Sequence, residues 1–269
     1  MNDTYIITVY VMIDDILRAM NYEDDCRAHT TSAEIMTIAI VAAKYFQNHH
    51  ERAVCIMRQL GYVQSISVSR FNRRLHQLMS QWLSVLDILT SVFRTGDLYI
   101  IDSMPMPVCK LVRANRCVHI AGKQYYGLSV AKQERFFGFR LHLVCTSAGI
   151  PVAFDICPAS WHDLVPVQHL TAELPAASNV LADKGYVCDE DENLCYLYGR
   201  VNLIPLYRKN MIPNSKEHLS LIKQHRPMIE AVYSQLEKMG VQRLHNRTLP
   251  GRFIKLYSSL LALIFNAFN

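Results

Sequence analysis

Hydrophobic spacing along the chain changes character once. Up to about residue 95, apolar residues recur at helical intervals, as in Ile6, Tyr10, Ile13, Leu17 and Met20. Thr31 and Glu34 have the spacing of a capping box and open an apolar helix from Ile35 to Phe46. Further helices are predicted from about Glu51 to Leu60, stopped by Gly61, and from Ser67 to about Leu89. Gly96 ends this regime. Short apolar runs rich in β-branched residues then predict strands at 98–102, 136–144, 150–156, 179–183 and 201–206. The run 136–144 alternates, with Arg140 and His142 on one side, which predicts a half-exposed strand. Ser147-Ala148-Gly149 turns it into a hairpin. Met104 to Ile120, with Pro105 and Pro107, reads as a loop. Helices are predicted again at 163–173, with Asp163 as N-cap, at 216–240, and at 256–268, the last packed on the sheet.

Strands interspersed with helices imply an α/β domain with a mixed sheet, preceded by an all-α N-terminal region. The division expected is 1–95 helical and 96–269 α/β. Half of the residues are hydrophobic, 51%, which supplies a core and argues against disorder. The formal net charge of +5 says little about partners, because the distribution of charge matters more. Eight cysteines show no C-x-x-C spacing, so buried free thiols in a reducing cytosol are favoured over a zinc site from Cys188 and Cys195. No signal peptide opens the chain, and the longest apolar patch is too short to span a bilayer, so a cytoplasmic protein without membrane contact is expected.

Three acids stand out. Asp102 and Asp183 each end an apolar strand run, and Glu230 lies on a helix. Singly, a strand-end aspartate is more often a turn former and a helical glutamate is usually solvated. Together they match a site for two divalent ions, since carboxylates at adjacent strand ends meet at one sheet edge. On the Glu230 helix, Ile229, Val232, Leu236 and Met239 form a stripe to be buried, and Arg226, Glu230, Tyr233 and Glu237 a polar one. Hard oxygen donors favour Mg²⁺, with Mn²⁺ as substitute.

Several basic residues are candidates for phosphate contact. Arg70, Arg73 and Arg74 open a helix after a short helix and a glycine turn, which fits a recognition helix as well as a solvated face. Arg140 shares a side with His142. His162 follows Trp161, Lys184 follows Asp183, and Lys209 follows a strand. Arg226 is one turn before Glu230, placed to pair with it or to reach a phosphate. After Glu237 no acidic residue occurs, while Lys238, Arg243, Arg247, Arg252 and Lys255 do.

Five phrases carry a resemblance: Ile101-Asp102-Ser103-Met104-Pro105, Gly138-Phe139-Arg140-Leu141-His142-Leu143, Pro158-Ala159-Ser160-Trp161-His162-Asp163, Ala182-Asp183-Lys184-Gly185-Tyr186 and Arg226-Pro227-Met228-Ile229-Glu230. In this order they resemble the DDE transposases of bacterial insertion sequences, in particular family nine-eight-two. The resemblance implies a ribonuclease-H-like core and the catalytic, metal-binding triad Asp102, Asp183 and Glu230 with two Mg²⁺ ions. It also implies DNA partners, namely terminal inverted repeats and target DNA, and a homo-oligomer on that DNA. The implied chemistry is cleavage at the element's ends, then joining of the freed 3′-hydroxyls to target DNA. A metal nuclease or resolvase without strand transfer, and a non-catalytic DNA-binding descendant, are the alternatives. Related families carry a lysine seven residues after the glutamate; here that position is Glu237 and the lysine is Lys238.

Overall fold

A computed structural model describes residues 1–64, 66–129, 133–187, 201–207, 211 and 214–268. The chain forms two compact units. One comprises Met1–Leu89 with Gln235–Asn269, the other Thr90–Ser234.

The first unit is helical. It contains α1 (Asp3–Ala19), α2 (Ser32–Phe46), α3 (His50–Gln59), α4 (Val68–Gln77) and α5 (Met79–Val92), the last crossing into the second unit. The capping box expected at Thr31 and Glu34 is present in both directions. Every residue of α2 from Ser32 to Ala43 except Glu34 is buried, as expected of a helix surrounded by others. It packs against α1, α3 and α4. The long helix expected from Ser67 to Leu89 is divided at Leu78.

The second unit is built on a six-stranded mixed sheet: β1 (Leu98–Cys109), β2 (Tyr126–Ser129), β3 (Glu134–Thr146), β4 (Pro151–Pro158), β5 (Asn179–Ala182) and β6 (Asn202–Pro205). The order is β2-β3-β1-β5-β6, with β4 also paired to β3. β3 runs antiparallel to β1, β2 and β4, whereas β1, β5 and β6 are mutually parallel. The hairpin of β3 and β4 forms as expected, closed by Thr146 and Ile150. α6 (Val167–Thr171) is shorter than expected and covers one face, where Val167 and Leu170 join Tyr99, Ile101, Val180 and Ala182 in the core. α7 (Lys216–Lys238) lines a crevice on the other face through Ile222 and Ile229.

Two expectations about strands need correction. The segment expected to be a loop after Asp102 continues β1 to Cys109, and its prolines pair with β3, Pro105 opposite Arg140 and Pro107 opposite Gly138. The ladder to β5 ends at Ile101, so beyond it that side of β1 is an open edge, where proline's missing N–H is tolerated. β3 is not half-exposed. It lies between β1 and β4, and His142 is fully buried.

Gly240, with φ +82°, ends α7 in a left-handed turn, as expected of the helix stop. The last helix, α8 (Leu249–Ile264), is capped by Thr248. It packs on α2 and α4 in the helical unit and not, as expected, on the sheet. Its apolar face is matched by the all-round apolar α2, and Tyr5 of α1 donates to the Ala262 carbonyl of α8. Of the six described cysteines, all free, only Cys145 and Cys157 are buried, while Cys26 and Cys55 are exposed. Cys188 and Cys195 lie outside the described residues. Among the described residues no helix is long and apolar enough to cross a membrane.

Candidate active site

The parallel register of β1 and β5 sets the site. Leu98 pairs with Asn179, and the ladder ends with Ile101 opposite Ala182. The next residues on the two strands are Asp102 and Asp183, so the two carboxylates emerge side by side. Alternation explains the choice of face: Tyr99 and Ile101 with Val180 and Ala182 enter the core, leaving Ile100 and Asp102 with Leu181 and Asp183 on the opposite face. There they line a narrow crevice with Ile222, Arg226 and Ile229 of α7.

Arg226 organises the acids. Its Nη1 and Nη2 donate to Oδ1 and Oδ2 of Asp183, at 3.0 and 3.2 Å, a bidentate pair. Its Nε donates to Oε1 of Glu230 at 3.2 Å. Glu230 is therefore joined to Asp183 through one guanidinium, not by direct approach. Asp102 has no such partner: among the described residues no cation lies within ion-pair distance of it. Its Oδ1 accepts from the Ser103 amide at 2.7 Å. Burial, and then the neighbouring Asp183 charge, push its carboxyl up to about 7. Tyr233, assigned to the polar stripe of α7, instead turns inward and donates its hydroxyl to the Asp102 carbonyl. The companion stripe, Ile229, Val232, Leu236 and Met239, is buried as expected.

Behind Asp102 lies a second polar cluster. Ser103 Oγ donates to Asp163 Oδ1 at 2.9 Å, and Arg140 Nη1 is 3.6 Å from the same oxygen. His142 Nδ1 is 4.0 Å from that oxygen and 3.5 Å from the Tyr186 hydroxyl. Burial pushes the imidazole down to about 4, so it is neutral near pH 7. Asp163 thus caps no helix: α6 begins later, at Val167. The phrase Asp183-Lys184-Gly185-Tyr186 acquires a reason here. A β-carbon on Gly185 would stand 2.9 Å from Asp163 Oδ2, so the turn after β5 accepts only glycine without a shift. Sequence reasoning missed the roles of Asp163, His142 and Tyr233. The one available signal was that Asp163, His142 and Gly185 all fall within the five quoted phrases.

The remaining candidates are scattered. His162 is exposed, beside Trp161 and Arg135 in a separate crevice that also reaches Arg140 and Asp163. Lys184 is exposed. In the helical unit Arg70 and Arg73 are exposed on α4, whereas Arg74 is engaged by Asp24 Oδ1 at 2.6 Å and by the Thr30 carbonyl. Arg243 and Arg247 are exposed in the segment before α8. Lys209 lies outside the described residues.

A divalent cation fits the chemistry of this donor set. The donors are hard oxygens, two of them directly after the ladder of neighbouring strands. Burial with the Asp183 charge beside it raises the Asp102 carboxyl to about 7, a shift that a bound cation would reverse. Arg226 holds Asp183, and among the described residues no three His, Cys, Asp or Glu side chains are grouped closely enough to hold a metal.

A family model described as transposase DDE domain matches residues 93–248, more than half of the chain. The match contains β1, β5 and nearly all of the sheet unit, and with them Asp102, Asp183 and Glu230. No curated protein matches the chain.

Proposed function

Because the chain belongs to the transposase DDE domain family, we propose that it is a DNA transposase of the nine-eight-two type. In this reading it cleaves insertion-sequence ends and joins the freed 3′-hydroxyls to target DNA. The observation that carries the reading is the β1–β5 register, which ends one residue before both aspartates. The sheet order agrees with a ribonuclease-H-like core: three antiparallel strands, β4-β3-β1, extended by two strands parallel to β1.

Asp102 and Asp183 would hold one Mg²⁺ ion and Glu230 would complete the site for a second. When bound, these ions neutralise the phosphate and activate the attacking oxygen. The chain's own residues prepare for this. Tyr233 and Ser103 fix the backbone and carboxyl of Asp102. Arg226, once released from Asp183, is free to take a phosphate oxygen of the cleaved strand, for which its planar fork is suited. The all-α unit then serves DNA binding, with Arg70 and Arg73 as the exposed cations of α4 and Arg243 and Arg247 before α8. Lys184, Arg140 and His162 would contact DNA from the sheet unit. A homo-oligomer acts on the terminal repeats and target.

The test is a strand-transfer assay with duplexes carrying the element's ends in Mg²⁺. Wild type is expected to nick at the end and to join pre-cut ends to a target plasmid. Nicking without joined product identifies a nuclease or resolvase. Binding with neither identifies a non-catalytic DNA-binding protein.

A further inference from the structure

The helical unit contains a cleft of about 820 Å³ that the catalytic reading does not use. Four imidazoles line it, His49, His50, His76 and His245, together with Arg247 and Lys255. Glu51 is the one acid among the described residues lining it. The first turns of α3, α4 and α8 also reach it, through His50, Val68 with Ser69, and Gly251. Each turns the positive end of a helix dipole that way, although α4 and α8 have side-chain caps, Ser67 Oγ accepting from Arg70 N–H and Thr248 Oγ1 from Gly251 N–H. At α3 no side chain caps the first turn.

Helix ends alone do not make a site, but the buried polar atoms point the same way. His50 is 9% exposed and its Nε2 has no hydrogen-bond partner. A buried ring nitrogen without a partner costs stability unless a ligand or water supplies one. Burial first pushes this imidazole down to about 3, with the Lys255, His76 and His49 charges adding to it and a hydrogen bond with Asn72 opposing it. Asn48 Oδ1 and Asn246 Oδ1 are also buried without partners. They are acceptors, because each amide nitrogen is already donating to a carbonyl. A phosphodiester, which has no hydrogen to donate, cannot satisfy them, whereas the amino groups of a base or waters carried with a nucleotide can.

We propose that this cleft binds a phosphate-bearing nucleotide unit of a nucleic-acid strand. The assignment to DNA rests on the transposase reading; the anion site itself does not. Lys255 and Arg247 supply the charge, His76 and His245 ring N–H donors, and the first turn of α3, which no side chain caps, the directional contacts.

The experiment uses the full chain, metal-free, with ¹⁵N-labelled histidine. Inorganic phosphate and a short duplex are titrated separately while the imidazole resonances are followed. The expected result is that both probes shift His50 and His76. The variant Lys255→Gln with Arg247→Ala should bind the duplex about tenfold more weakly and with a salt slope shallower by about two, one per lost phosphate contact. Should that variant unfold, exposed His76→Gln gives a smaller loss in a protein that retains its melting temperature. Shifts with phosphate and none with DNA overturn the nucleic-acid assignment. The proposal as a whole falls if neither probe moves these signals, or if the folded variant binds DNA like wild type. The catalytic reading fails separately, by a wild type that binds here and never cleaves in Mg²⁺.

Discussion

In the sheet unit, two carboxylates directly follow the ladder of neighbouring strands, and one of them, Asp183, shares the Arg226 guanidinium with Glu230 on α7. In the helical unit, four imidazoles, an arginine and a lysine line a cleft with one glutamate. At the first site, Asp102 has no cation within ion-pair distance among the described residues, and burial, with Asp183 beside it, pushes its carboxyl up to about 7. At the second, the basic side chains outnumber the one acid among the described lining residues, and burial pushes the His50 imidazole down to about 3. A protein stabilised only by its own contacts has little reason to leave both unbalanced. On the proposed reading, the sheet takes metal ions and the helices a phosphate, the two charged parts of a phosphodiester reaction.

The comparison breaks most visibly at Asp183. In Asp183→Asn, Mg²⁺-dependent cleavage should fall by about a thousandfold or more, since a lost ligand forfeits several kcal/mol of metal-supplied stabilisation. Duplex binding by the helical unit should persist, as gel shift or anisotropy would show. If binding collapses together with cleavage, the two roles are not separable.

The next effect concerns stability with metal chelated. The Asp102 carboxyl is raised from 3.8 to about 7. Its contribution to stability is therefore full below pH 4 and is lost as pH rises towards 7, because the unfolded chain gives up the proton first. Asp102→Asn removes that loss. Thermal unfolding should show no gain for the variant near pH 4 and a gain of order 2–4 kcal/mol at pH 8. Equal melting temperatures at pH 8 would mean that burial does not raise the carboxyl in the folded protein.

Smaller effects sort the arginines of α4. Arg74→Ala should destabilise the protein by about 1–3 kcal/mol in denaturant titration, because it strands Asp24 and the Thr30 carbonyl. Arg70→Ala with Arg73→Ala should leave stability within about 0.5 kcal/mol while weakening DNA binding several-fold. The reverse outcome would exchange their roles. Gly185→Ala should cost about 1–3 kcal/mol by driving Asp163 from the turn after β5.

How much of this could be read from the residues depends on the distance over which each feature is determined. The aspartate pair was legible because each acid directly follows an apolar run, and adjacent parallel strands do the rest. The buried stripe of α7 was legible from its spacing. The strand beyond Asp102 was not, because Pro105 and Pro107 are acceptable only where β5 stops at Ala182, a fact about another segment. The same holds for Asp163, whose partners Ser103, Arg140 and His142 come from β1 and β3. α8 was legible as an apolar helix, but its docking on α2 was not, since an apolar face does not specify its partner. The capture of Asp183 and Glu230 by Arg226 follows the helical i, i+4 spacing for Glu230 and needs the fold for Asp183.

The most direct test of the central claim is a Mn²⁺ titration followed by electron paramagnetic resonance, with duplex DNA present, for wild type, Asp102→Asn and Asp183→Asn. The account predicts saturable binding in wild type that is lost or weakened more than tenfold in each variant, while each still binds DNA. Equal Mn²⁺ uptake by all three proteins would contradict it.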